Sequence, residues 1–182
     1  PLPQAAGLSG CARRAHERGL LYEALRSLQW CSRCETALAE AEVEYSEETD
    51  PSIYVKFPLT GAEDESLVIW TTTPWTLPAN MAIAVHPDLA YAKVRVSRGG
   101  KAEHLWMLES VVLEVMGLVG ITAFEIVERK TGKELVGLAY AHPLAPKVPF
   151  QASAAGEWVH RVLPSGFVEA ERTELVHTAP GH

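Results

Sequence analysis

The chain has 182 residues, 47% of them hydrophobic and 21% charged, which suits a folded domain with an appendage and excludes a disordered tail. With 16 Lys and Arg against 23 Asp and Glu the formal net charge is −7, which excludes a basic polyanion-coating protein but not a small contact with a nucleic-acid end. Cys11, Cys31 and Cys34 are too few for a disulfide scaffold and point to a reducing, cytoplasmic compartment. No apolar run approaches the ~20 residues of a membrane span. Pro1-Leu2-Pro3-Gln4 lacks the segments of a signal peptide. Without an initiating Met, and stopping just after Ala179-Pro180-Gly181-His182, the chain reads as part of a longer protein.

In chain order, residues 8–28 are expected to be helical, with Leu20, Leu21, Ala24, Leu25 and Leu28 on one face and Gly19 a tolerated interruption. Trp30-Cys31-Ser32-Arg33-Cys34 and an acidic segment follow, closed by the turn signal Asp50-Pro51. Residues 1–50 therefore read as a linker or hairpin arm, and 51–182 as the main domain. Short β-like runs begin at Ile53–Phe57. Ser66–Thr72 is nearly continuous in apolar character and is expected to be buried on both faces. Met81–Val85 and the cleanly alternating Tyr91–Val96 come next. Arg98-Gly99-Gly100-Lys101 is a hairpin signal leading into His104–Met107. Glu109–Met116 has helical spacing with Gly117 as its cap, and Phe124–Glu128 is a strand ended by Lys130-Thr131-Gly132. Pro143, Pro146 and Pro149 mark a long loop, after which Trp158–Leu163 and Phe167–Val176 read as two last strands. Many short strands and few helices predict a mixed α/β, β-rich fold: a small closed or nearly closed β-barrel flanked by short helices.

The densest polar cluster lies in Trp70-Thr71-Thr72-Thr73-Pro74-Trp75-Thr76-Leu77-Pro78-Ala79-Asn80. Pro74 removes a backbone donor and holds Thr73 extended, so the strand ends here with hydroxyls at a rim. Such a rim can bind a ligand without a charged residue, or it can be a Thr-rich strand end packed by Trp. His177, after an apolar strand, is either a hydrogen-bonded core residue or a bulky polar wall that titrates near neutrality. Cys31-x2-Cys34 is half of a zinc knuckle, and with Cys11 and His16 at poor spacing no metal site is expected. A nucleophile elbow, a Gly-rich phosphate loop and a His-Glu-x-x-His helix are all missing from the sequence.

Trp70 to Asn80, together with Val176-His177-Thr178-Ala179-Pro180-Gly181-His182, resembles the editing (CP1) domain inserted in isoleucyl-tRNA synthetase, a class I aminoacyl-tRNA synthetase. Trp30-Cys31-x-x-Cys34 through Tyr45 resembles the segment that leads into that domain, and Ala141-His142-Pro143 is a further landmark in order. Valyl and leucyl relatives carry Thr-Thr-Arg-Pro-Glu-Thr or Thr-Thr-Arg-Pro-Asp-Thr where this sequence has Thr71-Thr72-Thr73-Pro74-Trp75-Thr76. The resemblance covers residues 16–182.

What it implies is hydrolysis of mischarged Val-tRNA(Ile), and of valyl-adenylate, by size exclusion of the isoleucyl group. Valine lacks one methylene. A hydrophobic pocket gains only ~1–3 kcal/mol from that group, a figure established on synthetases of this kind and not worked out from this chain. A second, smaller site is therefore needed. The resemblance assigns Thr71, Thr72, Thr73, Asn80 and His177 to catalysis, with His177 closing the pocket, and Trp70, Trp75 and Thr178 to substrate binding. It implies no cofactor and no metal at this site, with ATP used only at the synthetic site of the parent enzyme. It implies the CCA end of tRNA(Ile) and the remaining synthetase domains as partners, a cytoplasmic setting and no membrane. An activated ester needs little more than an oriented water and hydrogen bonds to the developing oxyanion, which agrees with the lack of a triad. Two departures stand out. Arg172-Thr173-Glu174 replaces the family's Gly-Thr-Gly, and the Asp that binds the substrate ammonium lies beyond His182. These favour, as the alternative, a non-catalytic module that binds the aminoacyl-tRNA 3′ end.

Overall fold

The computed structural model describes residues 3–22, 28–47, 49, 51–168 and 175–179. They fall into two compact units, one running to Ser46 and the other starting at Glu47.

In the first unit, helix α1 spans Pro3–Glu17. It stops well short of residue 28. Gly19 adopts a left-handed φ of 69°, and the amides of Gly19 and Leu20 close back on the carbonyls of His16 and Ala15. That is the geometry of a glycine-terminated helix, so Gly19 ends the helix rather than interrupting it. Ala24 and Leu25 lie outside the described residues. Strands β1 (Trp30–Cys31) and β2 (Thr36–Ala37) form a small antiparallel hairpin. At its tip the Cys34 amide donates to Cys31 Sγ at 3.3 Å. Amide donation from Cys34, contact with the Cys34 side chain and amide donation from Arg33 hold the Cys31 thiol below its usual range.

The second unit is built on two sheets. One has five strands in the order β3 (Ile53–Pro58), β4 (Glu65–Thr71), β7 (Lys101–Leu108), β6 (Ala90–Arg98) and β8 (Phe124–Thr131). The other has three, β10 (Val176–Thr178), β5 (Ala82–Val85) and β9 (Arg161–Pro164). The β6–β7 hairpin turns on Gly99 and Gly100, both at positive φ, as the Gly-Gly pair predicts. Helix α2 (Val112–Leu118) is preceded by a turn of 3₁₀ helix over Glu109–Val111. Its capping glycine is Gly120, at φ 70°, and not Gly117, which lies inside it. Short helices α3 (Gly132–Leu135) and α4 (Pro149–Ser153) complete the unit. Trp158–His160 form a turn before β9, and among the described residues of the expected strand Phe167–Val176, Val176 is paired, as the first residue of β10. Residues 169–174, including Arg172-Thr173-Glu174, lie outside the described residues.

Burial follows strand alternation. On β4, Leu67 and Ile69 enter a core shared with Phe57, Ile83, Val85, Tyr91, Leu135, Val162 and Leu175. Val68 points to the opposite core, with Val94, Met107, Val115 and Met116. This central strand is thus buried on both faces, as its continuous apolar run predicts.

A closed barrel is not found: among the described residues neither sheet closes on itself. The five-stranded sheet ends on β3 and β8, and the three-stranded one on β10 and β9. The sheets are joined through residues 139–141 by two isolated bridges, Leu59 to Tyr140 and Ala139 to Arg161. Pro58 ends β3 at this seam and has no amide to extend a ladder, while Arg161, which makes the second bridge, is the first residue of β9. The coarser expectation, a β-rich mixed α/β unit with short helices, holds.

Candidate functional site

The site is built where β4 ends against β10. Pro74 has no N–H, so the chain leaves β4 after Thr71 and winds into a 3₁₀ helix over Pro74–Ala79, with proline at its first position. Thr71 Oγ1 accepts the Thr73 amide at 3.0 Å, which makes the turn at the strand end. Thr76, one helical turn after Thr73, hydrogen-bonds its hydroxyl to the Thr73 carbonyl at 2.7 Å. The hydroxyls of Thr71 and Thr73 lie 3.2 Å apart, and those of Thr73 and Thr76 lie 3.4 Å apart.

His177 comes to this row from the other sheet. It sits in the middle of β10, opposite Ile83 of β5, and is 3% exposed. Its Nε2 is 3.1 Å from Thr76 Oγ1 and 3.4 Å from Thr71 Oγ1. Thr71 and Thr76 are thereby joined to a residue more than 100 positions away in the chain. Among the described residues, three hydroxyls and an imidazole converge here.

The other expected site residues are placed differently. Thr72 is half-buried at the bend and enters none of these contacts. Alternation along β4 puts Trp70 on the opposite face from Thr71, in register with Tyr54 of β3. Trp70 therefore does not join the cluster. Trp75 is 66% exposed. Thr178, next to His177, turns to the Ala82 carbonyl at 3.4 Å.

Asn80 is fully buried and fully engaged. Its Nδ2 donates to the carbonyls of Ala82 and Thr178, and its Oδ1 accepts the Tyr140 hydroxyl at 2.6 Å. Those contacts tie the end of the 3₁₀ helix to β5, to β10 and to the seam. Asn80 therefore holds the loop in place, with both ends of its amide engaged inside the protein. Burial pushes the Tyr140 hydroxyl far above its ordinary value, so it stays a donor.

A second group of side chains has no site role assigned from the sequence, although His142 belongs to a landmark of the resemblance. His142 Nε2 donates to the Leu77 carbonyl at 3.0 Å, while its Nδ1 accepts the Leu144 amide at 3.1 Å. Gln151, 2% exposed, donates from Nε2 to the carbonyls of Pro78 and Asn80, both at 2.8 Å. His160 Nε2 meets Gln151 Oε1 at 2.7 Å. The His142 and His160 rings lie 5.5 Å apart between centroids. Burial drives both below the ordinary imidazole value, against the pull of the Leu77 carbonyl on His142. Thr76 was also passed over, although a Thr-Pro-x-Thr spacing places the second hydroxyl one turn above the first.

Comparison with known proteins follows from this geometry. A family model described as tRNA synthetases class I (I, L, M and V) matches residues 8–178. The chain belongs to that family. It is 55% identical over 170 residues to the isoleucine–tRNA ligase of Archaeoglobus fulgidus, covering 93% of this chain and 16% of that protein. It is 54% identical over 175 residues to the ligase of Pyrococcus furiosus, with 93% and 16% covered, and 53% identical over 173 residues to that of Pyrobaculum aerophilum, with 93% and 17% covered. The chain thus spans about a sixth of the length of the curated relatives it matches. A solved structure described as the crystal structure of GlLeuRS-CP1 overlays 70% of this class I synthetase chain and 54% of that chain, with a TM-score of 0.54 and 16% identity. At that identity the likeness speaks for the fold. Among the described residues no helix is long and apolar enough to cross a membrane.

Proposed function

We propose that the unit from Glu47 onward is an editing site that hydrolyses Val-tRNA(Ile) and excludes the isoleucyl ester by size. The observation that carries this reading is the row of Thr71, Thr73 and Thr76 hydroxyls closed by His177 Nε2 at 3.1 and 3.4 Å. Both hydroxyls lie within hydrogen-bonding reach of the one ring nitrogen, which holds the edge of the imidazole against the threonines. A ring held in that way makes a rigid wall, and a rigid wall rejects one extra methylene far more steeply than an attractive pocket can reward it.

The chemistry asked of the site is modest. Water adds to the ester carbonyl, the acyl–oxygen bond breaks, and the proton passes to the departing ribose oxygen, leaving valine and free tRNA. Threonine hydroxyls can orient the water and donate to the carbonyl oxygen as charge develops on it. Neither step calls for a metal or a cofactor. ATP belongs to amino-acid activation elsewhere in the parent synthetase, whose remaining domains carry most of the tRNA contact. A chain with a net charge of −7 needs to receive only the CCA end. The setting is cytoplasmic, where tRNA is charged.

The test is single-turnover deacylation of Val-tRNA(Ile) and Ile-tRNA(Ile), by the chain alone and by a full-length isoleucine–tRNA ligase carrying it in place of its own corresponding segment. Hydrolysis of the valyl ester with the isoleucyl ester spared is expected. Tight binding of both esters with no hydrolysis in either context would replace this reading with a 3′-end binding module.

A further inference from the structure

The 3₁₀ helix that carries Thr76 closes on its own backbone through one amide at its end, that of Asn80 on the Leu77 carbonyl. Pro78 sits inside it without an amide, so the carbonyls at its end have few donors of their own. Side chains from residues 142–160 supply the remaining donors. His142 takes the Leu77 carbonyl, and Gln151 takes those of Pro78 and Asn80.

The hydrogen-bond roles in this group are determined by elimination. Two carbonyls can accept only from the amide nitrogen of Gln151, so its Oε1 must face His160 and accept. His160 therefore carries its proton on Nε2. The His160 backbone holds a left-handed φ of 54°, a conformation that costs a non-glycine residue energy and persists only when its surroundings demand it. Its amide donates to the Met81 carbonyl and its own carbonyl accepts the Tyr140 amide, so both sides of the residue are pinned.

We propose that Gln151, itself held by His160, is a positioning residue that sets the register of the threonine loop and so keeps Thr76 against His177; this rests on the hydrolytic reading above. Gln151 touches neither the hydroxyls nor His177. It acts through the two carbonyls that bracket Ala79, four residues or fewer from Thr76. Neutral His160 suits the arrangement, because burial disfavours its charged form.

The test replaces Gln151 with the similarly shaped Leu, in the full-length ligase carrying this chain. Hydrogen exchange is followed at the Thr76 and Asn80 amides, which close the 3₁₀ helix on Thr73 and Leu77. Expected are faster exchange at both amides and a loss of about 10–100-fold in kcat for valyl-tRNA hydrolysis, with KM little changed. His160→Asn, tolerated at positive φ, removes the support of Gln151 together with the ring contacts to Tyr140 and His142, leaves both Gln151 carbonyl contacts possible, and gives the same pattern more weakly; it stands in if Gln151→Leu does not fold. Unchanged exchange in a folded variant overturns the proposal. Faster exchange with unchanged kcat overturns its functional half. If the unsubstituted protein does not hydrolyse Val-tRNA(Ile), the hydrolytic reading fails by itself, and the exchange data alone decide whether Gln151 positions the loop.

Discussion

Replacing Asn80 with alanine separates a structural tie from a catalytic group. The amide is wholly buried and makes three hydrogen bonds, to Ala82, Thr178 and Tyr140. Removing it leaves the Tyr140 hydroxyl, 2% exposed, without its 2.6 Å acceptor. An orphaned buried group costs about 1–3 kcal/mol, and each of the two lost carbonyl contacts about 0.5–1.5 kcal/mol. Allowing for partial relaxation, the loss is about 2–5 kcal/mol, a large share of the ~5–15 kcal/mol that holds a typical domain. Urea unfolding of the chain measures it directly. The double-mutant cycle with Tyr140→Phe isolates the shared bond: once the hydroxyl is gone, Asn80→Ala costs about 1–2 kcal/mol less. A loss of stability below about 1 kcal/mol combined with abolished hydrolysis would refute the structural role and return Asn80 to the reacting atoms.

Two further outcomes are expected. Thr76→Val keeps the shape but removes the hydroxyl that meets His177 at 3.1 Å. Valyl-tRNA hydrolysis falls about tenfold or more while the unfolding midpoint moves little; a collapse in stability would mark Thr76 as mere packing. Stability also depends on pH through His142 and His160, which burial keeps neutral. Below the ordinary imidazole value of about 6.5 the unfolded chain binds more protons than the folded one. The contribution is therefore complete above that value and is lost as pH falls toward the lowered folded-state values. The urea midpoint at about pH 7.5 exceeds that at about pH 5.5, and His160→Asn narrows the gap; a midpoint that rises on acidification would contradict this sign.

Local pattern carried much of the fold. Alternation in Tyr91–Val96, the unbroken run before Thr71 and the Gly99-Gly100 pair each express a constraint contained within a few residues. They appear in the structure as strands β6 and β4 and as the β6–β7 turn. The misplaced ends have a shared cause. Spacing alone does not tell which glycine takes a left-handed φ, and it was Gly19 and Gly120 that did so. Closure into a barrel depends on how two sheets meet, and Pro58 matters only once the seam is formed. At the site, the threonines and His177 were legible as motifs. Tyr140, His142, Gln151 and His160 were not, because neutral side chains scattered over a proline-rich loop acquire their roles from the carbonyls that the fold brings beside them. Asn80 was legible by motif, while its ties to β5, β10 and Tyr140 were not.

The most direct measurement is deacylation by His177→Ala in the full-length ligase, with Val-tRNA(Ile) and Ile-tRNA(Ile) compared side by side. If the imidazole is a wall, the variant attacks the isoleucyl ester and still clears the valyl ester. If both activities disappear together in a folded protein, His177 acts on the reacting atoms and size exclusion by its ring is wrong.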